Sequence, residues 1–470
     1  MTKWLILFND AVLWYYAVAV SFYVLLIASA LWSSAAHRRR LLGQSLRAFL
    51  DSPLTPPVSI LVPAYNEELS LAESVRSLLR LRYPEFEVVV INDGSKDGTL
   101  EALKTAFGLV PTRIVVRPAA PHQPIRATYV SPSEPRLLVI DKVNGGKSDA
   151  LNAGLNVARS PYFCAIDADA VLEPDALVRV MAPLLNERDM VVAAGGIVRV
   201  INGSTVRQGE VLRVGLPASP VETLQVIEYL RGFLFGREGW SALNTLLIIS
   251  GAFGVFSRRL ALELGGYRRD TVGEDMDLVV RMHRHLRERR QAYRIVFVPD
   301  PVCWTEVPGD LRTLARQRRR WQKGLLDVLW RHRRMFGNPR YGLPGMVGLP
   351  YQLVVELVGP VMELLGIVSM AAAAWLGILD RATLLAYLAF SYLAGTAISV
   401  AAILLEELTY RRYQRISELV RLLGYAFLDF FPYRQFLMAA RLLGMWDYLF
   451  GSRHTWGAQK RAGFAAARLQ

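Results

Sequence analysis

The chain has 470 residues, of which 52% are hydrophobic and 20% charged, with a formal net charge of +14. A mean hydropathy of +0.24 beside that much charge argues against a wholly soluble protein and for a water-soluble part joined to a lipid-embedded one. The basic residues gather beside apolar segments, at Arg38–Arg40, from Arg316 to Arg334, and at Arg411, Arg412 and Arg415, which favours a cytoplasmic membrane surface over nucleic acid as their partner.

Ala11–Trp32 carries no charge. At ~1.5 Å per residue it spans roughly 33 Å, enough for a bilayer core of about 30 Å. Residues 1–36 are therefore expected to form a transmembrane helix. The alternative, a cleaved signal peptide, would be shorter and would end in a cleavage site rather than in Arg38–Arg40. That basic cluster belongs inside, which points the N-terminus outward. Residues 37–57 read as a linker.

From 58 to 308 short apolar runs alternate with amphipathic segments. Strands are predicted at Val58–Val62, Glu87–Ile91, Arg113–Val116, Leu137–Ile140 and Tyr162–Ile166. Between the first two, Leu71, Val75, Leu78 and Leu79 share one helical face. This alternation predicts an α/β domain with a mostly parallel sheet. Pro118–Pro135, with five prolines, reads as a surface loop or irregular hairpin. The two cysteines, Cys164 and Cys303, form neither a disulfide framework nor a zinc site. Cys164, inside an apolar run, reads as a core thiol, and the low count fits a reducing compartment.

Residues 309–340 alternate basic residues with Leu311, Leu314, Trp321, Leu325, Leu326 and Leu329, which predicts an amphipathic helix on the membrane surface. The 341–450 region is membrane-embedded or interfacial. Gly342–Leu379 is too long for one untilted span, Thr383–Leu405 is a clear span, and Leu419–Trp446 carries Asp429, Pro432 and Arg434. A charge at membrane depth points to pairing or function. Residues 451–470 form a basic tail with Arg453, Lys460, Arg461 and Arg468.

Six motifs carry chemistry. Pro63-Ala64-Tyr65-Asn66-Glu67-Glu68 follows the first strand, where an open α/β sheet binds ligands, although a helix-capping turn would look alike. Asn92-Asp93-Gly94-Ser95-Lys96-Asp97-Gly98-Thr99 follows the second. Asp93 there can accept hydrogen bonds from a nucleobase or ribose, while Asp97 and Thr99 order the turn and start a helix. Lys142-Val143-Asn144-Gly145-Gly146-Lys147-Ser148-Asp149-Ala150-Leu151-Asn152 opens another helix, and a lysine at a helix N-terminus suits phosphate, although a solvated turn with a surface lysine would look alike. Asp167-Ala168-Asp169 ends the Tyr162–Ile166 strand. Mg²⁺ or Mn²⁺ takes one or two such carboxylates and fills its remaining sites with diphosphate oxygens and water. Gly273-Glu274-Asp275-Met276-Asp277 precedes a helix. None of the six histidines falls in these loops, so a carboxylate is the candidate base: Asp275, with Glu274 beside it. Gln317-Arg318-Arg319-Arg320-Trp321 lies on the basic helix, where an indole can stack on a sugar and a guanidinium can hold diphosphate. The same residues also suit a lipid surface.

The ordered series Asp93, Asp167-x-Asp169, Glu274-Asp275 and Gln317-x-x-Arg320-Trp321 resembles the processive family-2 glycosyltransferases: cellulose, hyaluronan and poly-N-acetylglucosamine synthases. The resemblance covers 58–334 and the flanking membrane segments. It implies a GT-A, Rossmann-like cytoplasmic domain at the inner membrane. It implies inverting transfer from a UDP-sugar, UDP-GlcNAc or UDP-glucose, to a polysaccharide, and C-terminal helices that channel the chain outward. By residue it implies Pro63, Tyr65, Glu67 and Asp93 on the nucleotide, Asp93 on the uracil, Lys147 and Asp167 on the donor, and Asp169 on the metal. Asp275 would be the base, and Gly251 in Ser250-Gly251-Ala252-Phe253 would face the acceptor. Gln317, Arg320 and Trp321 would line the acceptor and diphosphate site. Trp456-Gly457 to Gly463-Phe464 resembles the ends of some bacterial exopolysaccharide synthases. One span before the domain and a short C-terminal set suggest that a partner subunit or a second copy completes the channel. Two other readings share parts of the pattern: transfer of one sugar to a lipid carrier, and a retired nucleotide-binding scaffold.

Overall fold

The computed structural model describes residues 2–43, 49–116, 118–185, 190–207, 210–378, 381–413 and 415–451. The basic tail and the Trp456–Phe464 motif lie outside the described residues.

The strands are β1 (Val58–Ala64), β2 (Phe86–Asn92), β3 (Val110–Thr112), β4 (Ile125–Val130), β5 (Leu137–Lys142), β6 (Tyr162–Ile166), β7 (Val171–Leu172), β8 (Val191–Val200), β9 (Thr205–Arg207), β10 (Glu210–Arg213), β11 (Phe253–Ser257) and β12 (Arg294–Thr305). Apart from the β9–β10 hairpin they form one ten-stranded sheet in the order β3-β4-β5-β2-β1-β6-β11-β8-β12-β7. The centre, β5-β2-β1-β6, is parallel. Its strands are near-continuous apolar runs, as burial on both faces demands: Val58, Ile60, Leu61 and Val62 of β1 and Val88–Ile91 of β2 are all buried. Beyond this centre the sheet is mixed. β11 runs antiparallel to both β6 and β8, β8 pairs parallel with β12, and β3 and β4 complete the other edge antiparallel.

Arg113–Val116, predicted as a strand, is not one. The edge strand lies just before it, at Val110–Thr112, and pairs with β4, which falls inside the proline-rich segment. Past Thr112 the chain has no strand partner, and Val115 is left 91% exposed. Pro111 is tolerated because an edge strand need not donate on its open side.

The first helix runs Thr2–Gly43, with an apolar span Leu7–Trp32. It continues into the segment predicted as linker, because Ala35, Ala36 and Arg38–Leu42 are good helix formers. Leu384–Thr409 is the second helix long and apolar enough to cross a membrane. Pro344–Leu357 and Gly359–Trp375, bent by 41°, make a third if they are one span. The Leu419–Trp446 stretch is two helices, Ile416–Leu428 and Arg434–Phe450, parted at Asp429–Tyr433. Asp429 meets Arg231 at 2.5 Å and Ser399 at 2.6 Å.

The basic helix runs Leu311–Arg331, capped by Asp310, whose Oδ1 accepts from the Thr313 N–H. It packs along Arg434–Phe450, where Arg319 reaches Asp447 at 2.6 Å. It also crosses the acidic loop at two glycines. A Cβ on Gly324 would lie 3.0 Å from Gly273 Cα and N, so neither residue can carry a side chain without parting the two backbones. The sheet is joined to the second span by a bidentate pair from Arg199 of β8 to Glu406, at 2.7 and 2.8 Å, both side chains at most 5% exposed.

Two stability outcomes follow, both readable as thermal midpoints of detergent-solubilised protein. Gly324→Val destabilises by about 1–3 kcal/mol through overpacking against backbone. Arg199→Met strands a buried carboxylate and costs about 3–5 kcal/mol, most of which Arg199→Met/Glu406→Leu recovers.

Candidate active site

Because β1, β2, β5 and β6 are parallel, the loops leaving Ala64, Asn92, Lys142 and Ile166 emerge on one edge of the sheet. The first two are stitched together. The Asn66 N–H donates to Ser95 Oγ and Asn66 Oδ1 accepts from the Lys96 N–H. Thr99 Oγ1 accepts from the Glu67 N–H, and Asp97 accepts from the Thr99 N–H and hydroxyl, the turn-ordering role predicted for this pair. Asn66 sits at φ 56°, a conformation asparagine tolerates. This frame carries Pro63, Tyr65 and Glu67 to the crevice.

Asp93, 3% exposed, is largely engaged by the third loop. It accepts from the Gly145 N–H at 3.0 Å, the Gly146 N–H at 2.7 Å and the Lys142 ammonium at 2.5 Å. Lys142, wholly buried, also meets Asp149 at 2.6 Å. Gly146, at φ 89°, then turns the chain into the helix Lys147–Val157.

Lys147 pairs with Asp167, the first acid after β6, and its Nζ lies 3.4 Å from the Gly251 carbonyl. Burial would lower its pKa. The carboxylates of Asp167, Glu274 and Asp275 outweigh that and raise it, so the ammonium stays charged. A Cβ on Gly251 would lie 2.8 Å from the Lys147 Nζ, so the ammonium would have to shift to make room for one. Asp169, two residues on, is buried at the same wall. Among the described residues no three His, Cys, Asp or Glu side chains converge as a metal cage. The donor set at Asp167 and Asp169 is instead the hard-oxygen pair that Mg²⁺ or Mn²⁺ accepts when a diphosphate supplies the remaining ligands.

The helix Glu274–Glu288 begins with Glu274, Asp275 and Asp277 in its first turn, where carboxylates suit the helix dipole. Asp277 is structural: wholly buried, it holds Arg281 at 2.6 Å and His332 at 3.0 Å. Asp275 accepts from the Gly251 N–H at 3.3 Å. The Glu274 carboxyl is pushed up to about 7, by burial first and by the Asp275 carboxylate second, with Lys147 and Arg320 pulling it back.

Gln317, Arg320 and Trp321 fall at i, i+3 and i+4 and share one helix face. Arg318 does not meet lipid as a surface arginine would. It is buried against Glu228 at 2.8 Å. A single cavity of about 1220 Å³ is lined by Pro63, Tyr65, Glu67, Asp93, Lys147 and Asp167, by Asp169, Gly251, Glu274 and Asp275, and by Gln317, Arg320 and Trp321. It continues between the membrane helices, past Tyr16, Tyr23, Glu363, Tyr387 and Arg434. Arg237 also faces it, stacked 3.8 Å over Phe233. Burial lowers the Arg237 pKa while Asp275 raises it. Sequence reasoning missed Arg237, Glu228 and Gly324. The first two stand, with Arg231 and Glu238, among the aromatic and aliphatic residues of Val226–Trp240, a mixture that marks neither as part of a site.

Residues 59–261 match the model of glycosyl transferase family 2, and residues 162–405 that of glycosyl transferase family group 2. Poly-β-1,6-N-acetyl-D-glucosamine synthases of Staphylococcus epidermidis and of Staphylococcus aureus (strain COL) are 27% and 26% identical over 275 residues, 58% of this chain and 56% of each relative. The match thus spans little more than half the length of those relatives. A mannosyltransferase of Pyrobaculum calidifontis, solved in complex with GDP-Man and Mn²⁺, superposes with a TM-score of 0.54 at 20% identity, over 92% of this chain and 99% of that one. That likeness shows the fold, the GT-A arrangement that the motif series implies. With a family model matched over more than half of its length, the chain belongs to the family-2 glycosyltransferases.

Proposed function

We propose that this glycosyltransferase moves a sugar from a UDP-sugar, with inversion, onto a growing polysaccharide at the cytoplasmic membrane face and feeds the product into the membrane. The observation that carries the reading is the single cavity joining the acidic loops, the Gln317–Trp321 face and the space between the membrane helices. The curated relatives' names favour UDP-GlcNAc over UDP-glucose as donor. Arg38–Arg40 after the first span favours an inner-membrane, multi-pass protein with its catalytic domain inside.

In this mechanism the Tyr65–Glu67 loop and Asp93 border the nucleoside. Asp93 does so while its carboxylate orders the Gly145–Gly146 turn. Asp275 takes the proton of the acceptor hydroxyl as that oxygen bonds to the anomeric carbon and the bond from that carbon to the diphosphate breaks. Lys147 and Arg320 offset the charge that develops on the departing UDP. Asp169, with Asp167 beside it, would hold Mg²⁺ or Mn²⁺, which supplies Lewis-acid stabilisation of the same diphosphate. Gln317 and Trp321 hold the acceptor sugar in line, which removes much of the entropy cost of alignment.

The test is incubation of purified protein in detergent with UDP-GlcNAc and UDP-glucose, each with Mn²⁺ or Mg²⁺. UDP release and product size are measured. The expected result is a ladder or polymer, lost on chelation and restored by the ion. One lipid-linked sugar would replace this reading with transfer to a carrier, and no donor turnover would leave a nucleotide-binding scaffold. Asp275→Asn is expected to lower transfer by about 10²–10⁴-fold while UDP binding, read by calorimetry, stays unchanged.

A further inference from the structure

The residue that follows Gln317 is Arg318, whose side chain is 1% exposed. Its guanidinium makes three contacts at once. Nη2 donates to Glu228 Oε2 at 2.8 Å, Nη1 donates to Gln317 Oε1 at 2.5 Å, and Cζ lies 4.1 Å from the centre of the Trp321 ring. Glu228 Oε2 accepts in addition from the Tyr433 hydroxyl at 2.8 Å. Tyr433 closes the Asp429–Tyr433 break, so the arrangement is seated on the membrane-side helices. Burial would raise the Glu228 pKa. Arg318 and Tyr433 outweigh it and bring it down, which keeps the pair ionised.

Each contact fixes the direction of a group that lines the cavity. An amide whose oxygen is taken by a guanidinium presents its NH₂ elsewhere, and Gln317 borders the cavity. An indole with a cation over its ring is held against rotation. Trp321 is still 43% exposed and borders the cavity too. Gln317 therefore offers a donor, and Trp321 a flat apolar surface, to whatever enters. Those are the two features that recognise a sugar: hydroxyl or acetamido oxygens on its rim and C–H groups on its face.

We propose that Arg318 is a positioning residue: clamped by Glu228, it sets the amide of Gln317 and the indole of Trp321 toward an acceptor sugar. The acceptor half of this statement rests on the function proposed above, whereas the clamp itself does not.

A buried ion pair can also serve stability alone, and the experiment separates the two roles. Arg318→Met by itself would strand Glu228, so the informative variant is Arg318→Met/Glu228→Leu, since apolar residues of similar volume often replace a buried pair without loss of stability. The double variant is expected to unfold near the wild-type temperature and to bind UDP within about twofold, while kcat/KM for a β-1,6-linked N-acetylglucosamine pentamer with UDP-GlcNAc falls about ten- to hundredfold. In protein labelled with 5-fluorotryptophan, the Trp321 resonance, assigned through Trp321→Phe, is expected to shift and broaden. A stable double variant with wild-type transfer, or an unmoved Trp321 resonance, overturns the proposal. If wild-type protein extends no pentamer, the donor and acceptor assignment fails instead, and the fluorine signal alone decides the clamp.

Discussion

Lys142 lies fully out of water between two carboxylates, Asp93 at 2.5 Å and Asp149 at 2.6 Å. A buried ammonium is tolerated only when its charge is matched and its hydrogens are used. Meeting that demand draws the loop after β2 and the helix Lys147–Val157 onto one atom. Asp149 then reaches further, accepting from the Gln123 N–H and from Arg269. Three residues on, Asn152 accepts from the Tyr267 N–H and donates to its carbonyl. The segments that lead into Glu274 and that close the proline-rich loop are thus tied to the same helix. The placement of Asp93, and through that helix of the segment leading into Glu274, rests on this buried network.

Around the crevice itself charge is balanced by pairs rather than left to solvent. Lys147 answers Asp167, Arg318 answers Glu228, and Arg237 lies within electrostatic reach of Asp275. A site built this way holds both signs of charge close together at fixed positions. The transfer proposed above, from an anionic diphosphate to a neutral hydroxyl, would draw on such fixed charges, the sense in which a preorganised polar environment outperforms water.

The parallel centre was legible because strands buried on both faces must be written as apolar runs, and Val58–Val62 and Glu87–Ile91 are such runs. The loops after them were legible as strand-to-helix turns from their Gly, Asp and Asn, while the helix-capping alternative for the first stayed open. β3 and β4 were misread because an edge pair needs little apolar content, so the prolines on either side dominated the pattern. The mixed half of the sheet was also hidden, since strand direction depends on connections that composition does not report. Gly324 and Arg318 were invisible for a different reason. Their importance lies in what stands opposite, Gly273 and Glu228, each far off in the chain.

A membrane helix meets a bilayer thicker or thinner than its apolar length by tilting. A loose tether would absorb such tilting. Here the second span ends in a buried bidentate joint, and Arg199 on the far side of that joint belongs to β8. β8 is hydrogen-bonded to β11, which begins two residues after Gly251. The end of the second span and the wall of the crevice that carries Gly251 thus belong to one continuous hydrogen-bonded linkage, from Glu406 through Arg199 and β8 to β11.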